Sequence, residues 1–271
     1  MRARKRFAQH FLEAAWVNKL AAAVAATPDD SILEIGPGRG AITRPLAAQA
    51  RRLLAIEVDR DLAADLEAAA LPNVTVISSD VLSVDLVPII TAWLGAPPAP
   101  ANQIRVVGNL PYNISSPILF TLLDLAAKTG GVRDAMLMLQ KEVADRLVAK
   151  TGTGDYGVLT VLTGLNADVT RVLSLPPGAF RPPPKVHSAV VRLVFRPAKV
   201  EIRDQDLFVR MVRTMFTQRR KTISNALKPF GVERGVEPAE ALAAAGIDPK
   251  RRPETLDLAE MAALAAAFSR P

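Results

Sequence analysis

The chain has 271 residues, 49% of them hydrophobic, with two histidines and no cysteine, which supports a large folded core and excludes disulfides, thiolate metal sites and a histidine-rich metal centre. The net charge of +7 is segregated, with four basic residues in 1–10, six in 169–200 and six in 210–228, and no acidic residue in any of these windows. Separated basic blocks suit a polyanionic partner, nucleic acid above all, better than an evenly solvated surface does.

The N-terminal run is basic, but Glu13 and Lys19 interrupt the apolar stretch that a signal peptide needs, so secretion is not expected. Residues 13–26 have helical spacing and end at Thr27-Pro28. Short apolar runs then alternate with helical patterns. Strands are predicted over 31–35, 53–56, 74–77, 104–108 and 135–139, with helices over 41–50, 60–70, 86–94 and 117–127, and a Pro/Ala loop over 95–103. The uncharged runs 86–104 and 106–123 are broken by Pro88, Pro97, Pro98, Pro100, Pro111 and Pro117. Neither reads as a membrane span, and a soluble cytoplasmic protein is expected.

Wholly apolar strands alternating with helices imply an α/β fold with a parallel sheet covered on both faces. Two further strands, 169–175 and 188–195, flank the proline-rich 176–184 as a hairpin at the sheet edge. After Arg196-Pro197 the pattern becomes helical, with a stripe of Leu207, Phe208, Met211, Val212, Met215 and Phe216 and further helices over 239–245 and 256–268. The expected domains are 1–200 and a small all-helical domain, 201–271.

Glu34-Ile35-Gly36-Pro37-Gly38-Arg39-Gly40 follows the first strand and opens a helix. Glycines there allow a sharp turn and close approach of a ligand, and the helix start favours polar or negative groups. Glu57 closes the second strand 21 residues after Gly36, where a carboxylate can hold a ribose diol. The G-x-G-x-G spacing and the acid before it differ from the dinucleotide fingerprint, which argues against an NAD-dependent dehydrogenase. They match the pattern of S-adenosylmethionine methyltransferases, with Glu34 toward the methionine ammonium, directly or through water, and Asp80 toward the adenine amine.

Asn109-Leu110-Pro111-Tyr112 follows the fourth strand, whose end faces the ligand crevice in an open α/β sheet. An adenine amine is a poor nucleophile because its lone pair is delocalised into the ring. Two acceptors, the Asn109 side-chain oxygen and the Leu110 carbonyl, can bind its two hydrogens and pyramidalise the nitrogen. Pro111 biases Leu110 to an extended conformation, and Tyr112 offers a stacking face. No strong base and no metal are needed, because the sulfonium is already activated and positioning supplies much of the rate.

Six blocks carry a family resemblance: Arg4 through Leu12, Glu34 through Gly40, Asn109 through Pro117, Leu139 through Ala144, Phe180 through Val191 and Phe216 through Thr222. With these the chain resembles the KsgA/Dim family, the small-subunit rRNA adenine dimethyltransferases. The resemblance implies conversion of two adjacent adenines near the 3′ end of 16S rRNA to N6,N6-dimethyladenine, by a monomer, during assembly of the small subunit. It also implies a Rossmann-like sheet of seven mostly parallel strands. By matching position, His10 and Leu12 border the cofactor with Gly36, Gly38, Glu57, Asp80 and Asn109, and Phe180 holds the target base opposite Tyr112. His10 stands where asparagine is common. The 210–228 helix and the 180–185 loop are then expected to meet RNA phosphates through Arg181, Lys185, Arg219, Arg220 and Lys221.

Two other readings share these features. The erythromycin-resistance methyltransferases have the same N-x-P-Y core but modify large-subunit rRNA, and the Gln140–Ala144 and Gln218–Thr222 stretches favour the small-subunit family. A non-catalytic assembly factor retaining the fold would have no need of an intact Asn109–Tyr112 motif.

Overall fold

The computed structural model describes residues 10–269. The basic residues Arg2, Arg4, Lys5 and Arg6, and residues 4–9 of the first matching block, lie outside the described residues. The chain forms two compact units, one up to Ala144 plus Asp168–Arg196, the other Asp145–Ala167 plus the chain from Pro197 onward. The expected boundary near 200 falls at Pro197. The segment 145–167 joins the C-terminal residues because its Tyr156 and Val161 are buried in their core.

The first unit is built in the order β1 (Phe11–Leu12), α1 (Ala14–Val24), β2 (Ser31–Ile35), α2 (Thr43–Ala47), β3 (Arg52–Glu57), α3 (Arg60–Ala68), β4 (Val74–Ser78), α4 (Leu86–Leu94), β5 (Ile104–Asn109), α5 (Ser115–Thr129) and β6 (Val132–Gln140). Next in the chain come α6 (Lys141–Leu147), which runs into the second unit, and α7 (Val158–Asn166) within it, and then, back in the first unit, β7 (Ala167–Leu175), β8 (Phe180–Arg181) and β9 (Ser188–Phe195). Seven strands form one sheet in the order β4-β3-β2-β5-β6-β9-β7. The pairs β2–β3, β2–β5, β3–β4 and β5–β6 are parallel, and β6–β9 is antiparallel. The two predicted edge strands are therefore neighbours, with β7 outermost.

Every residue of β2 is buried, as is all of β5 up to Gly108. The sheet is thus covered on both faces, which is why these strands read as unbroken apolar runs. The chain leaves β2 toward β3 on one side and returns to pair β5 on the other, so the sheet switches direction between β2 and β5. Ligands of open α/β sheets bind at the carboxyl ends of the strands at such a switch.

At the opposite, amino ends of the strands lies a buried ion cluster. Arg105 donates to Asp134 (Nε, 2.8 Å) and Asp30 (Nη1, 3.0 Å), and Arg192 and Arg133 approach the same two carboxylates at 2.6 and 2.7 Å. Burial alone raises a carboxyl's pKa, but the Thr27 N–H on Asp30 and these guanidinium partners on both groups outweigh it and hold Asp30 and Asp134 below the usual carboxylate value.

A two-residue antiparallel ladder pairs β1 with β8, Leu12 opposite Phe180 and Phe11 opposite Arg181. Elements this short carry no periodicity, and the sequence does not announce them.

The second unit adds α8 (Gln205–Thr217), α9 (Ile223–Ala226), α10 (Lys228–Arg234), α11 (Pro238–Ala244) and α12 (Leu258–Phe268). The Asp204 side chain caps α8 by accepting from Leu207 N–H, and Asp257 and Glu260 form a reciprocal capping box on α12. The predicted stripe is buried at Leu207, Phe208, Met211, Val212 and Met215, and packs with Phe230, Leu242, Leu264 and Phe268. The expected single helix over 210–228 is three elements: α8 stops at Thr217, residues 218–221 turn, and α9 and α10 follow. No helix among the described residues is long and apolar enough to cross a membrane.

Candidate active site

The carboxyl ends of β2, β3, β4 and β5 are tied together by their own main chain. Gly36 N–H donates to Ile56 O and Ser79 N–H to Glu57 O, each at 2.9 Å. The parallel register sets Ile35 beside Gly108, which brings Gly36 next to Asn109. This edge lines a cavity whose walls include Gly36, Gly38, Glu57, Asp80 and Asn109 through Tyr112, closed by His10, Phe11 and Leu12 of the N-terminal segment.

Gly36 and Gly38 have φ of +69° and +59°, left-handed backbone that favours glycine. A Cβ on Gly38 would lie 3.5 Å from the Phe11 ring, so the missing side chain leaves room for a ligand beneath that ring. The Gly38 N–H donates to Glu57 Oε2 and the Asp59 N–H to Glu57 Oε1, both at 2.9 Å. Each oxygen keeps a lone pair, so the carboxylate is oriented and can still accept two hydroxyls. Burial raises the Glu57 carboxyl's pKa, and these two N–H donors oppose the rise.

Asp80 uses Oδ1 to accept from Leu82 N–H (2.9 Å), which leaves Oδ2 for an amine. Glu34 is 2% exposed and does not line the cavity. It lies behind the glycine turn, where its Oε2 and the Thr43 hydroxyl are buried with no hydrogen-bond partner among the described residues. Burial pushes its carboxyl up to about 7, against a small opposing effect of Thr43 and with the Glu57 charge adding to the rise. A route from Glu34 to a ligand ammonium therefore needs a bridging water. Taken together, the positive-φ turn, the oriented diol acceptor, the spare Asp80 oxygen and the orphaned Glu34 oxygen fit S-adenosylmethionine along this edge.

At the end of β5 the Asn109 amide nitrogen donates to His10 O at 3.2 Å. A carbonyl only accepts, so the assignment of the amide is fixed, and Oδ1 remains as an acceptor. Leu110 N–H donates to Met138 O at 3.2 Å, and no donor among the described residues reaches the Leu110 carbonyl. Tyr112 is held at its hydroxyl by Ser188 Oγ, 2.6 Å away at the start of β9. Burial raises the phenol's pKa, and the Ser188 hydrogen bond opposes it.

The structure thus brings together His10, Leu12, Gly36, Gly38, Glu57, Asp80 and Asn109 through Tyr112. It does not bring Phe180, which is 1% exposed and packed in the core with Leu12, Val17 and Leu20. The His10 ring is stacked on Tyr112, with centroids 5.8 Å apart. Arg39 and Phe11 also line the cavity, with the guanidinium 4.2 Å over the Phe11 ring. Both sit inside the recognised motifs, but only the fold shows that they meet.

Among the basic residues, Arg181 pairs with Glu13 at 3.1 Å and Lys185 is exposed in the loop before β9. In the second unit Arg219 donates to Gly154 O at 2.7 Å, while Arg220 and Lys221 are exposed in the turn after α8 and pair with no acid among the described residues.

A family model described as ribosomal RNA adenine dimethylase matches residues 1–268. The chain is 47% identical over 267 residues to a ribosomal RNA small subunit methyltransferase A of Xanthomonas campestris pv. campestris strain 8004, covering 97% of this chain and 95% of the relative. It is 44% identical over 273 residues to the protein of the same name in Geobacter metallireducens, covering 99% and 96%. A dimethyladenosine transferase from Plasmodium falciparum shares the fold with a TM-score of 0.75 at 23% identity, over 94% of this chain and 96% of that one. The 23S rRNA methyltransferase ErmE gives a TM-score of 0.65 at 27% identity, over 96% and 100%.

Proposed function

The chain belongs to the ribosomal RNA adenine dimethylase family, and from that premise we propose how its residues dimethylate the N6 amines of two adjacent adenosines near the 3′ end of 16S rRNA. It is a methyltransferase acting on rRNA, and S-adenosylmethionine supplies the activated methyl group. The proposal extends to the substrate particle, the small subunit or its precursor, met by a monomer in the cytoplasm.

The observation that carries the site assignment is the Asn109 amide, held by His10 O with its oxygen left as an acceptor at the end of β5. Asn109 Oδ1 and the Leu110 carbonyl accept the two N6 hydrogens. The nitrogen pyramidalises, and its lone pair turns toward the methyl. Bound there, S-adenosylmethionine would supply the methyl from its sulfonium and leave as S-adenosylhomocysteine, and the methylated nitrogen would release one proton to solvent. A second round replaces the second hydrogen. Glu57 would hold the ribose, Asp80 the adenine amine of the cofactor, and the Gly36–Gly38 turn its methionine end. Tyr112 stacks on the target base, which must leave its helix or lie unpaired to enter. Arg181, Lys185, Arg219, Arg220 and Lys221 supply phosphate contacts.

The test is transfer of labelled methyl to undermethylated 30S subunits, with 50S subunits alongside. Label confined to 30S and recovered as dimethyladenine is expected. Label in 50S would move the protein to the erythromycin-resistance type. Binding of S-adenosylmethionine without transfer would leave an assembly factor.

A further inference from the structure

We propose that Trp16 and Lys19 on α1 form a one-nucleotide platform for the rRNA strand outside the cavity, the indole taking an unpaired base and the ammonium the phosphate beside it. The inference rests on the rRNA methyltransferase reading.

Glu13, Trp16 and Lys19 follow at three-residue spacing, so they lie along one stripe of α1. The Lys19 ammonium sits 4.3 Å over the centre of the Trp16 ring. Trp16 is half-buried, packed against the core that contains Leu12, Val17 and Leu20, while Lys19 is exposed. The cation therefore marks the face of the indole that is turned to solvent. The other exposed positions of α1 are Ala14, Ala15, Asn18 and Ala22. Their short, neutral side chains neither crowd the ring nor repel a phosphate.

Glu13 is the only acidic residue in 1–28, and it is paired with Arg181 at 3.1 Å. Its N–H donates to Ala179 O at 2.9 Å. These two bonds fix the start of α1 to the loop that carries Arg181. Arg181 in turn stands opposite Phe11, a residue of the cavity wall. The platform thus lies a few residues from the cavity, beside a cation that the proposed function gives to a phosphate.

Every base has a face that stacks on an aromatic ring, whatever its sequence. A cation–π contact at an exposed site is weak, so a base displaces the ammonium. The flexible lysine stem then lets that ammonium reach the phosphate of the same nucleotide. An acidic peptide would use the lysine and not the ring, and an apolar partner the ring and not the lysine. A single-stranded nucleic acid uses both.

The chain has two tryptophans, Trp16 and Trp93. Trp93→Phe leaves Trp16 as the one emitter in a full chain with the platform unaltered. A short single-stranded oligoadenylate, end-labelled so that anisotropy follows its binding, is titrated at low salt. It should quench the Trp16 emission with the midpoint that anisotropy gives. Trp16→Leu keeps apolar packing without a ring, and should bind the strand about fivefold to a hundredfold more weakly with its salt dependence unchanged. Lys19→Gln should flatten the slope of log K against log salt by about one. With undermethylated 30S subunits, Trp16→Leu should raise KM more than it lowers kcat. Strand binding that leaves the Trp16 emission unchanged overturns the proposal, as does a Trp16→Leu chain that is folded by circular dichroism and binds the strand as wild type does. Oligoglutamate that quenches Trp16 as oligoadenylate does would assign the surface to an acidic protein and overturn it too. Quenching in the expected pattern by a chain that labels 50S and not 30S subunits would keep the platform and overturn the substrate proposed above.

Discussion

The Asn109 side-chain nitrogen donates to the main-chain carbonyl of His10 across 3.2 Å, although 99 residues separate them in the chain. The amide is thereby held in one of its two orientations, with its oxygen as the acceptor that the amine requires. Removing a preorganised polar group aimed at the reacting atoms commonly costs a hundredfold to a thousandfold in rate. Asn109→Ala should therefore lower kcat at least about a hundredfold while subunit binding persists. Wild-type turnover in that variant would remove Asn109 from the chemistry.

Tyr112 separates stacking from anchoring. In the proposed mechanism its ring provides a face for the base, and its hydroxyl is held by Ser188, which is 1% exposed. Tyr112→Ala removes both and should slow transfer by about tenfold or more, since a base–aromatic stack contributes about 1–3 kcal/mol. Tyr112→Phe keeps the face and leaves the Ser188 hydroxyl buried without its partner. Its main cost should appear as about 1–3 kcal/mol of stability in urea unfolding, with a much smaller change in kcat. Equal kinetic loss in both variants would assign the role to the hydroxyl.

Glu34 makes the protein's stability depend on pH in a predictable sense. Its carboxyl is raised by burial from 4.5 to about 7, so the folded state holds a proton there that the unfolded chain releases. Stability from this group is full below the unfolded value and is lost as pH rises toward 7. Glu34→Gln removes the titration. It should stabilise the ligand-free protein by up to about 3 kcal/mol at pH 8, with the gain vanishing near pH 4. Melting curves at both pH values check this, and a gain independent of pH would show that Glu34 does not titrate.

The sheet was legible because burial on both faces writes itself as uninterrupted apolar residues, as in Ser31–Ile35 and Ile104–Asn109. The glycine turn, Glu57 and Asn109 were legible because the ends of parallel strands have a fixed chemical purpose. Three features were not. The helix Val158–Asn166 opens Val-Leu-Thr-Val-Leu, a β-branched run with no helical signature. The turn at 218–221 is made of good helix formers, so propensity extends α8 through it. Phe180 belongs to a motif that points to the site, but its ring is buried in a core cluster that includes Leu12, Val17 and Leu20, far away in the chain. No local pattern records packing between residues so distant in sequence.

Arg105 should matter to stability and not to catalysis. Its guanidinium neutralises Asp30 and Asp134 at the amino ends of the strands, away from the cavity. Arg105→Ala leaves two buried carboxylates short of their partner, a loss of about 3–5 kcal/mol. Both carboxyls are held below the usual value, so their stabilisation is present above about pH 4 and is lost as pH falls through the lowered native values. The gap between wild type and variant in denaturant unfolding should be wide at pH 7 and narrow toward pH 3. At a temperature where both are folded, methyl transfer should be the same. A gap that stays constant with pH would mean that packing, not charge, accounts for the loss.

The turn after α8 should carry part of the RNA affinity, and its three cations should not contribute equally. Arg219 already donates to the Gly154 carbonyl. Arg220 and Lys221 are exposed and pair with no acid among the described residues, so they can meet phosphates without first breaking a bond. Each lost phosphate contact lowers the salt dependence of binding by about one in the slope of log K against log salt. Arg220→Gln with Lys221→Gln should thus weaken binding to 30S subunits and flatten that slope by about two. Arg219→Gln should flatten it less and cost some stability, because the Gly154 carbonyl loses its donor. Neither change should alter the affinity for S-adenosylmethionine, whose proposed site is in the other unit. An unchanged slope in the double variant would place the RNA surface on Arg181, Lys185 and the basic N-terminal residues instead.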